Sequence, residues 1–250
     1  MSLAEALFLA VAGLAAGSIN AVAGGGSLLS FPALLALGIP PLAANVTNSV
    51  AVWPGYVGTT WGYRRELADQ RRRLLGLAPA AVAGAALGCL LLLDASAQSF
   101  ETVVPFLIIL GSLLLAVQSR LTERMRRWPG GGSGVRAPLL HLSVLLAAVY
   151  GAYFGGGLGV LLLAGLGLFV ADDLQRLNGL KSALSLLINA VALVAFSLFA
   201  PVDWGAVAVM APAALAGGYL GARLARRLDP TGLRALIVLF GLAVGVALLF

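Results

Sequence analysis

The sequence is poor in the residues that carry most covalent and metal chemistry. One cysteine, Cys89, and one histidine, His141, occur in 250 residues. A lone cysteine inside an apolar run excludes an internal disulfide and reads as a small buried residue. His141 stands near a helix start with no evident partner, and no cysteine, histidine and carboxylate cluster has metal-ligand spacing. No Ser/His/Asp or Cys/His set can be assembled, and no carboxylate pair lies within an apolar run. The expectation is therefore no enzyme, no metal and no cofactor, and no carboxylate proton relay is visible. Charge is scarce too. Ten per cent of the residues are charged and sixty per cent hydrophobic, with a mean hydropathy of +1.00. That is too little charge to cover a soluble domain of this size.

What is present is apolar sequence in long runs. A hydrocarbon core is spanned by about 20 helical residues, so the chain has room for roughly eight to ten such helices and no soluble domain of useful size. The runs fall at 3–22, 27–43, 45–63, 74–93 and 102–119, then at 138–154, 158–170, 174–199, 204–222 and 232–250. A lipid-exposed backbone must satisfy its own hydrogen bonds, and these runs are continuous rather than alternating, so they are read as helices and not as barrel strands. The predicted class is an all-α polytopic membrane protein. The start, Met1 to Glu5, lacks the basic region of a cleaved signal, and the first run is expected to stay as a helix.

The pI near 10.2 is a matter of topology rather than of nucleic acid, because nearly all the basic residues sit in three loops with no aromatic interleaving. Arg64, Arg65 and Arg71 to Arg73 fill one loop; Arg120, Arg124, Arg126, Arg127 and Arg136 the central one; Arg223, Arg226, Arg227 and Arg234 bracket the last. These are expected on the cytoplasmic side, with Asp94, Glu101 and Asp203 outside.

The two halves repeat. Pro79, Gly84 and Gly88 recur as Pro212, Gly217 and Gly221, 133 positions on (212 − 79). At the same offset Asn45 meets Asn178 and Ser49 meets Ser182, while Gly24-Gly25-Gly26 answers Gly155-Gly156-Gly157 after a two-residue slip. The helix over 74–93 leaves the cytoplasmic side and its partner over 204–222 arrives there, so the repeats are expected to be inverted, each with about five segments. Secondary transporters are commonly built this way, with sites where the repeats meet. The expected division is 1–119 as the first repeat, 120–137 as a cytoplasmic linker and 138–250 as the second.

Two features could bind a solute. The glycine triplets interrupt apolar runs, and the segments after them are short; residues 158–170 would rise only about 20 Å as a helix, less than a bilayer core. Broken or re-entrant helices fit, and a half-helix N-terminus suits an anion. The alternative is that the glycines only permit close packing. No Gly-Lys-Ser/Thr follows either triplet, so neither is a phosphate loop. The second feature is a polar stripe: Asn178, Lys181, Ser182, Ser185 and Asn189 share one helical face, and Asn45, Asn48 and Ser49 begin the same stripe in the first half. Such a stripe turns inward in lipid, to line a path or to bond neighbouring helices. Lys181 is the only lysine. It pairs with an anionic substrate, snorkels to the surface, or is neutralised by Asp172 or Asp173.

The run Gly17-Ser-Ile-Asn20 through Gly24-Gly25-Gly26-Ser27 to Pro32, followed by Asn45 to Ser49, resembles the first-repeat signature of the TauE/SafE sulfite exporter family. Tyr153 to Gly157, Leu174 to Ser182 and Asn189 resemble the second, so the likeness covers essentially the whole chain. The resemblance implies a permease of the bacterial inner membrane that exports sulfite, sulfoacetate or another organosulfonate. Pro32 departs from strict symmetry, since Leu162 to Ala164 stand in its place after the second triplet. Combined with the residues, the expected site is Asn20, Gly24, Gly25, Gly26, Ser27, Asn45, Asn48, Ser49, Gly155, Gly156, Gly157, Asn178, Lys181, Ser182 and Asn189, acting on a small anion by alternating access. The same residues could line an anion channel, and a membrane assembly protein is the third reading. The expected partners are the small anion and the lipid bilayer, with no nucleic acid; homo-oligomerisation is left open.

Overall fold

The computed structural model describes residues 1–127, 136–225 and 231–249, and among them there is no strand. The helices are α1 (Leu3–Val22), α2 (Ser27–Ala36), α3 (Pro41–Gly62), α4 (Arg64–Leu67), α5 (Arg71–Asp94), α6 (Ala97–Arg127), α7 (Arg136–Tyr153), α8 (Leu158–Phe169), α9 (Leu174–Phe199), α10 (Trp204–Leu224) and α11 (Thr231–Ala247). Local chemistry sets their ends. Ser2 and Glu5 form a reciprocal capping box at α1. The Asp173 carboxylate accepts the Gln175 and Arg176 N–H groups at the start of α9, both at 2.9 Å, and Asp203 accepts that of Ala206 at α10. Pro41 opens α3, where a missing N–H costs nothing.

The run expected over 27–43 is not one helix. It stops at Ala36, turns at Gly38 (φ +80) and passes Pro40 before α3 begins. At the other end α6 continues to Arg127, past the expected end at 119, because no proline or glycine interrupts Ala116 to Arg127. Residues 128–135 of the expected linker, together with Arg226 and Arg227, lie outside the described residues. The short helix α4 had no apolar pattern to announce it.

Among the described residues, five helices are long and apolar enough to cross a membrane: Leu3–Val22, Arg71–Asp94, Ala97–Gln118, Leu174–Phe199 and Trp204–Leu224. Helix α3 has 22 residues, enough length, but it carries buried polar residues at Asn45, Thr47, Asn48, Ser49 and Thr59. The apolar side chains face outward instead. Leu3, Leu7, Val11 and Leu14 make an exposed stripe on α1, as do Phe106, Leu110, Leu113 and Val117 on α6. Apolar residues outside and amides inside is the arrangement that hydrocarbon solvent favours.

The halves interleave. Helix α5 of the first half packs on α7 and α9 of the second, and α10 of the second packs on α1 and α3 of the first; α6 lies against α11. The contacts correspond position by position. A β-carbon on Gly84 or Gly88 would press on the Leu145 or Val149 carbonyl of α7. One on Gly217 or Gly221 would press on the Leu14 carbonyl or on Ser18 of α1. Leu145 and Val149 lie 131 positions after Leu14 and Ser18 (145 − 14, 149 − 18). Small residues let these backbones meet, and the repeated glycines of the sequence are these crossings.

Candidate functional site

The two chain breaks meet where Gly24 of the first triplet lies against Gly159, two residues past the second triplet. Gly24 (φ +83) and Gly155 (φ +82) take the same left-handed turn at matching places, a conformation that favours glycine. An added β-carbon on Gly24 would stand 2.7 Å from the Gly159 α-carbon, and one on Gly159 would stand 2.6 Å from that of Gly24. Gly155 in turn faces the Ser27 hydroxyl. Helices α2 and α8 run away from this crossing with 10 and 12 residues, about 15 and 18 Å of rise, each too short to span a core about 30 Å thick.

The polar stripes of α3 and α9 meet the breaks. Lys181 is 1 % exposed. Its Nζ donates to the Asn178 Oδ1 at 3.0 Å and to the Asn20 carbonyl oxygen at 3.4 Å. The Asn20 side chain accepts the Gly26 N–H at 2.8 Å. The Ser30 hydroxyl contacts the Gly26 carbonyl at 3.3 Å and donates to the Asn48 Oδ1 at 2.6 Å. A continuous polar path thus runs from Lys181 on α9 through Asn20, Gly26 and Ser30 to Asn48 on α3. The second break is reached from α3, where the Asn45 amide donates to the Tyr153 carbonyl at 2.9 Å. The Tyr150 hydroxyl donates to the Gly156 carbonyl at 2.6 Å. The Asn45 Oδ1, the Asn48 Nδ2 and the Ser185 hydroxyl are buried and have no hydrogen-bond partner within the protein.

Not every expected residue joins this path. Ser49 and Ser182 donate back to the Asn45 and Asn178 carbonyls of their own helices. Asn189 bonds only to the Ser185 carbonyl, two turns from Lys181. Gly26 was expected to offer its N–H to a solute, but Asn20 takes that N–H, so both groups serve first to shape the break. Ser30 was missed: a lone serine in an apolar run shows its role only when the angle of α2 against α3 is known. His141, expected without partners, contacts the Ala137 carbonyl at 2.7 Å and the Gly76 carbonyl of α5 at 3.1 Å.

The alternatives for Lys181 find no support in the geometry. Burial and the bond to Asn20 keep it from snorkelling. Asp172 pairs with Arg73 at 2.9 Å and Arg176 at 2.8 Å, and Arg176 also meets Asp69 at 3.6 Å. Asp173 is the α9 cap. Among the described residues no carboxylate forms an ion pair with Lys181. Burial pushes the Asp172 carboxyl up. The Arg73 hydrogen bond, the Asp173 N–H and the charges of Arg176 and Arg73 outweigh that and hold it below its ordinary value.

Comparison with known proteins agrees in kind. The chain is 28% identical over 249 residues to "Probable membrane transporter protein ORF9" of a Sinorhizobium species, covering 97% of this chain and 91% of that one. It is 26% identical to a probable membrane transporter protein of Haemophilus influenzae, covering 91% and 88%. Against the probable membrane transporter protein YfcA of Escherichia coli K12 it is 29% identical over 85% and 76%. The profile of the sulfite exporter TauE/SafE family matches residues 9–248. With five candidate spans, the chain is a multi-pass membrane transporter protein and belongs to the sulfite exporter TauE/SafE family.

Proposed function

We propose that this transporter moves a small oxyanion of the sulfite or organosulfonate class outward across a bacterial inner membrane, by alternating access of two inverted repeats about the crossing at Gly24 and Gly159. The observation that carries the anion is Lys181: a buried amine on a polar path, bonded to two neutral oxygens and to no carboxylate. An uncompensated cation in a low-dielectric interior costs several kcal/mol, and a bound anion offsets that cost. The Asn48 Nδ2 and the Ser185 hydroxyl supply neutral donors nearby on the two stripes. Neutral donors hold an oxyanion without trapping it, as a carrier requires. Alternating access is supported by the matched contacts of α5 and α10, each seated in the opposite half, so that one half can rock against the other about glycine-lined contacts. The arginine-rich loops are assigned to the cytoplasmic side by the positive-inside rule.

The test is flux through purified protein in liposomes offered sulfite, sulfoacetate, sulfate and chloride, with Lys181→Ala alongside. Saturable movement of sulfite or sulfoacetate, reduced about tenfold or more by the substitution, is expected, since losing one charge-assisted contact is worth about 1.5–3 kcal/mol. Folded protein that moves none of these anions would overturn the reading. Flux that does not saturate would replace the carrier with a channel.

A further inference from the structure

We infer that Lys181 is also the proton carrier of the transport cycle, so that each anion crosses together with one proton. This rests on the anion reading above and adds the coupled ion. The hydrogen bonds of Nζ carry the argument. An ammonium has three N–H donors, and Lys181 finds two acceptors, the Asn178 Oδ1 and the Asn20 carbonyl. A neutral amine has two N–H donors and fits those acceptors with none left over. The third donor of the ammonium form finds no acceptor among the described residues, and a bound anion would supply one. Anion-bound and empty states therefore favour different protonation states of one nitrogen.

Among the described residues, none of the groups packed around α9 forms an ion pair with Lys181. Glu66 on α4 packs by its β-carbon over Gly179, which lies about 200° around the helix from Lys181. On α5, Arg73 is held by Asp172. Just after α3, the Tyr63 hydroxyl reaches the Ala21 carbonyl at 3.5 Å, and Tyr56 is buried on α3 itself. On α7, Tyr150 is committed to the Gly156 carbonyl. Helix α8 carries no titratable side chain. The empty site thus keeps its positive charge only at the full cost of burying it.

The step balances simply. The ammonium form with its bound anion reorients; the anion leaves; the ammonium then gives its proton to the same aqueous phase and becomes the amine. The neutral, empty carrier returns and takes a proton on the loading side before the next anion. One proton and one anion move in the same direction.

The probe is sulfoacetate, whose two acid groups both stay ionised between about pH 6 and 8, so that any proton that moves belongs to the protein. Liposomes containing the purified protein and a trapped pH dye are given a sulfoacetate gradient. The interior is expected to acidify as sulfoacetate enters, and an acid-outside pH gradient should drive sulfoacetate accumulation. Lys181→Arg stays charged at every pH, so the ratio of sulfoacetate exchange to net flux should rise about tenfold or more. Net sulfoacetate flux with no proton movement in the wild type overturns the inference and leaves the anion carrier standing. An unchanged exchange-to-flux ratio in a folded Lys181→Arg protein overturns it as well. Absence of both sulfoacetate exchange and flux in the wild type fails the anion reading itself, and the coupling falls with it.

Discussion

Gly24→Ala is the sharpest test of the crossing between the two breaks. The backbone there has φ +83, and a β-carbon would stand 2.7 Å from the Gly159 α-carbon and 2.8 Å from its carbonyl carbon. Two costs add. A left-handed alanine costs about 1–2 kcal/mol. Carbon atoms in contact sit at about 3.5–4.0 Å, so the two backbones must part by about 1 Å. Overpacking of that kind costs roughly 1–3 kcal/mol. Two controls separate the terms. Gly38 has φ +80 but nothing within 4 Å, so Gly38→Ala incurs only the first cost. Gly159 is helical, with a β-carbon that would stand 2.6 Å from the Gly24 α-carbon, so Gly159→Ala incurs only the second, less a gain in helix propensity of about 1 kcal/mol. Loss of monodisperse protein on heating in detergent, read by size-exclusion chromatography, gives the ranking. At roughly 2–4 °C per kcal/mol for a chain of this size, Gly24→Ala should lower the transition about twice as far as Gly38→Ala. Equal shifts for Gly24→Ala and Gly38→Ala, with Gly159→Ala neutral, would refute the close approach.

Two further substitutions probe the bonds around the site. Ser30→Ala removes the hydroxyl that donates to the Asn48 Oδ1 and leaves a buried acceptor unpaired; the same heating assay should show a loss of about 1–3 kcal/mol, and an unchanged transition would refute the bond. Asp172→Asn removes both arginine pairs and, at partly exposed positions, should cost about 1 kcal/mol near neutral pH. Because the folded Asp172 value is lowered, its contribution is present above the ordinary carboxylate value of about 4 and is lost as pH falls through the lowered one. The gap between wild type and Asp172→Asn should therefore close on acidification. A gap that persists undiminished in strong acid would refute the linkage.

The membrane class and ten of the eleven helices among the described residues were legible because they follow from composition and run length, which act locally. The paired glycines were legible as a repeat, since Gly84 with Gly217 and Gly88 with Gly221 survive at one offset. The break after Ala36 was not, because Leu37 to Pro40 is as apolar as its flanks and only Gly38 and Pro40 mark the turn. Likewise, the polar face of α9 could be read from spacing, but what Lys181 touches could not.

By itself the sequence determined how many apolar helices form, which face of α3 and α9 is polar, and which positions can admit a neighbouring backbone. These are properties of periodicity and side-chain size, and they hold within one helix. The tertiary structure alone decided the rest. It seats α5 and α10 in opposite halves, sets Gly24 on Gly159, and spends Asn20 on Gly26 while its carbonyl holds Lys181. The physical reason is that Asn20 and Lys181 lie 161 positions apart, and no periodic pattern reaches across such a separation; only the packing of the two breaks brings their polar groups within bonding distance.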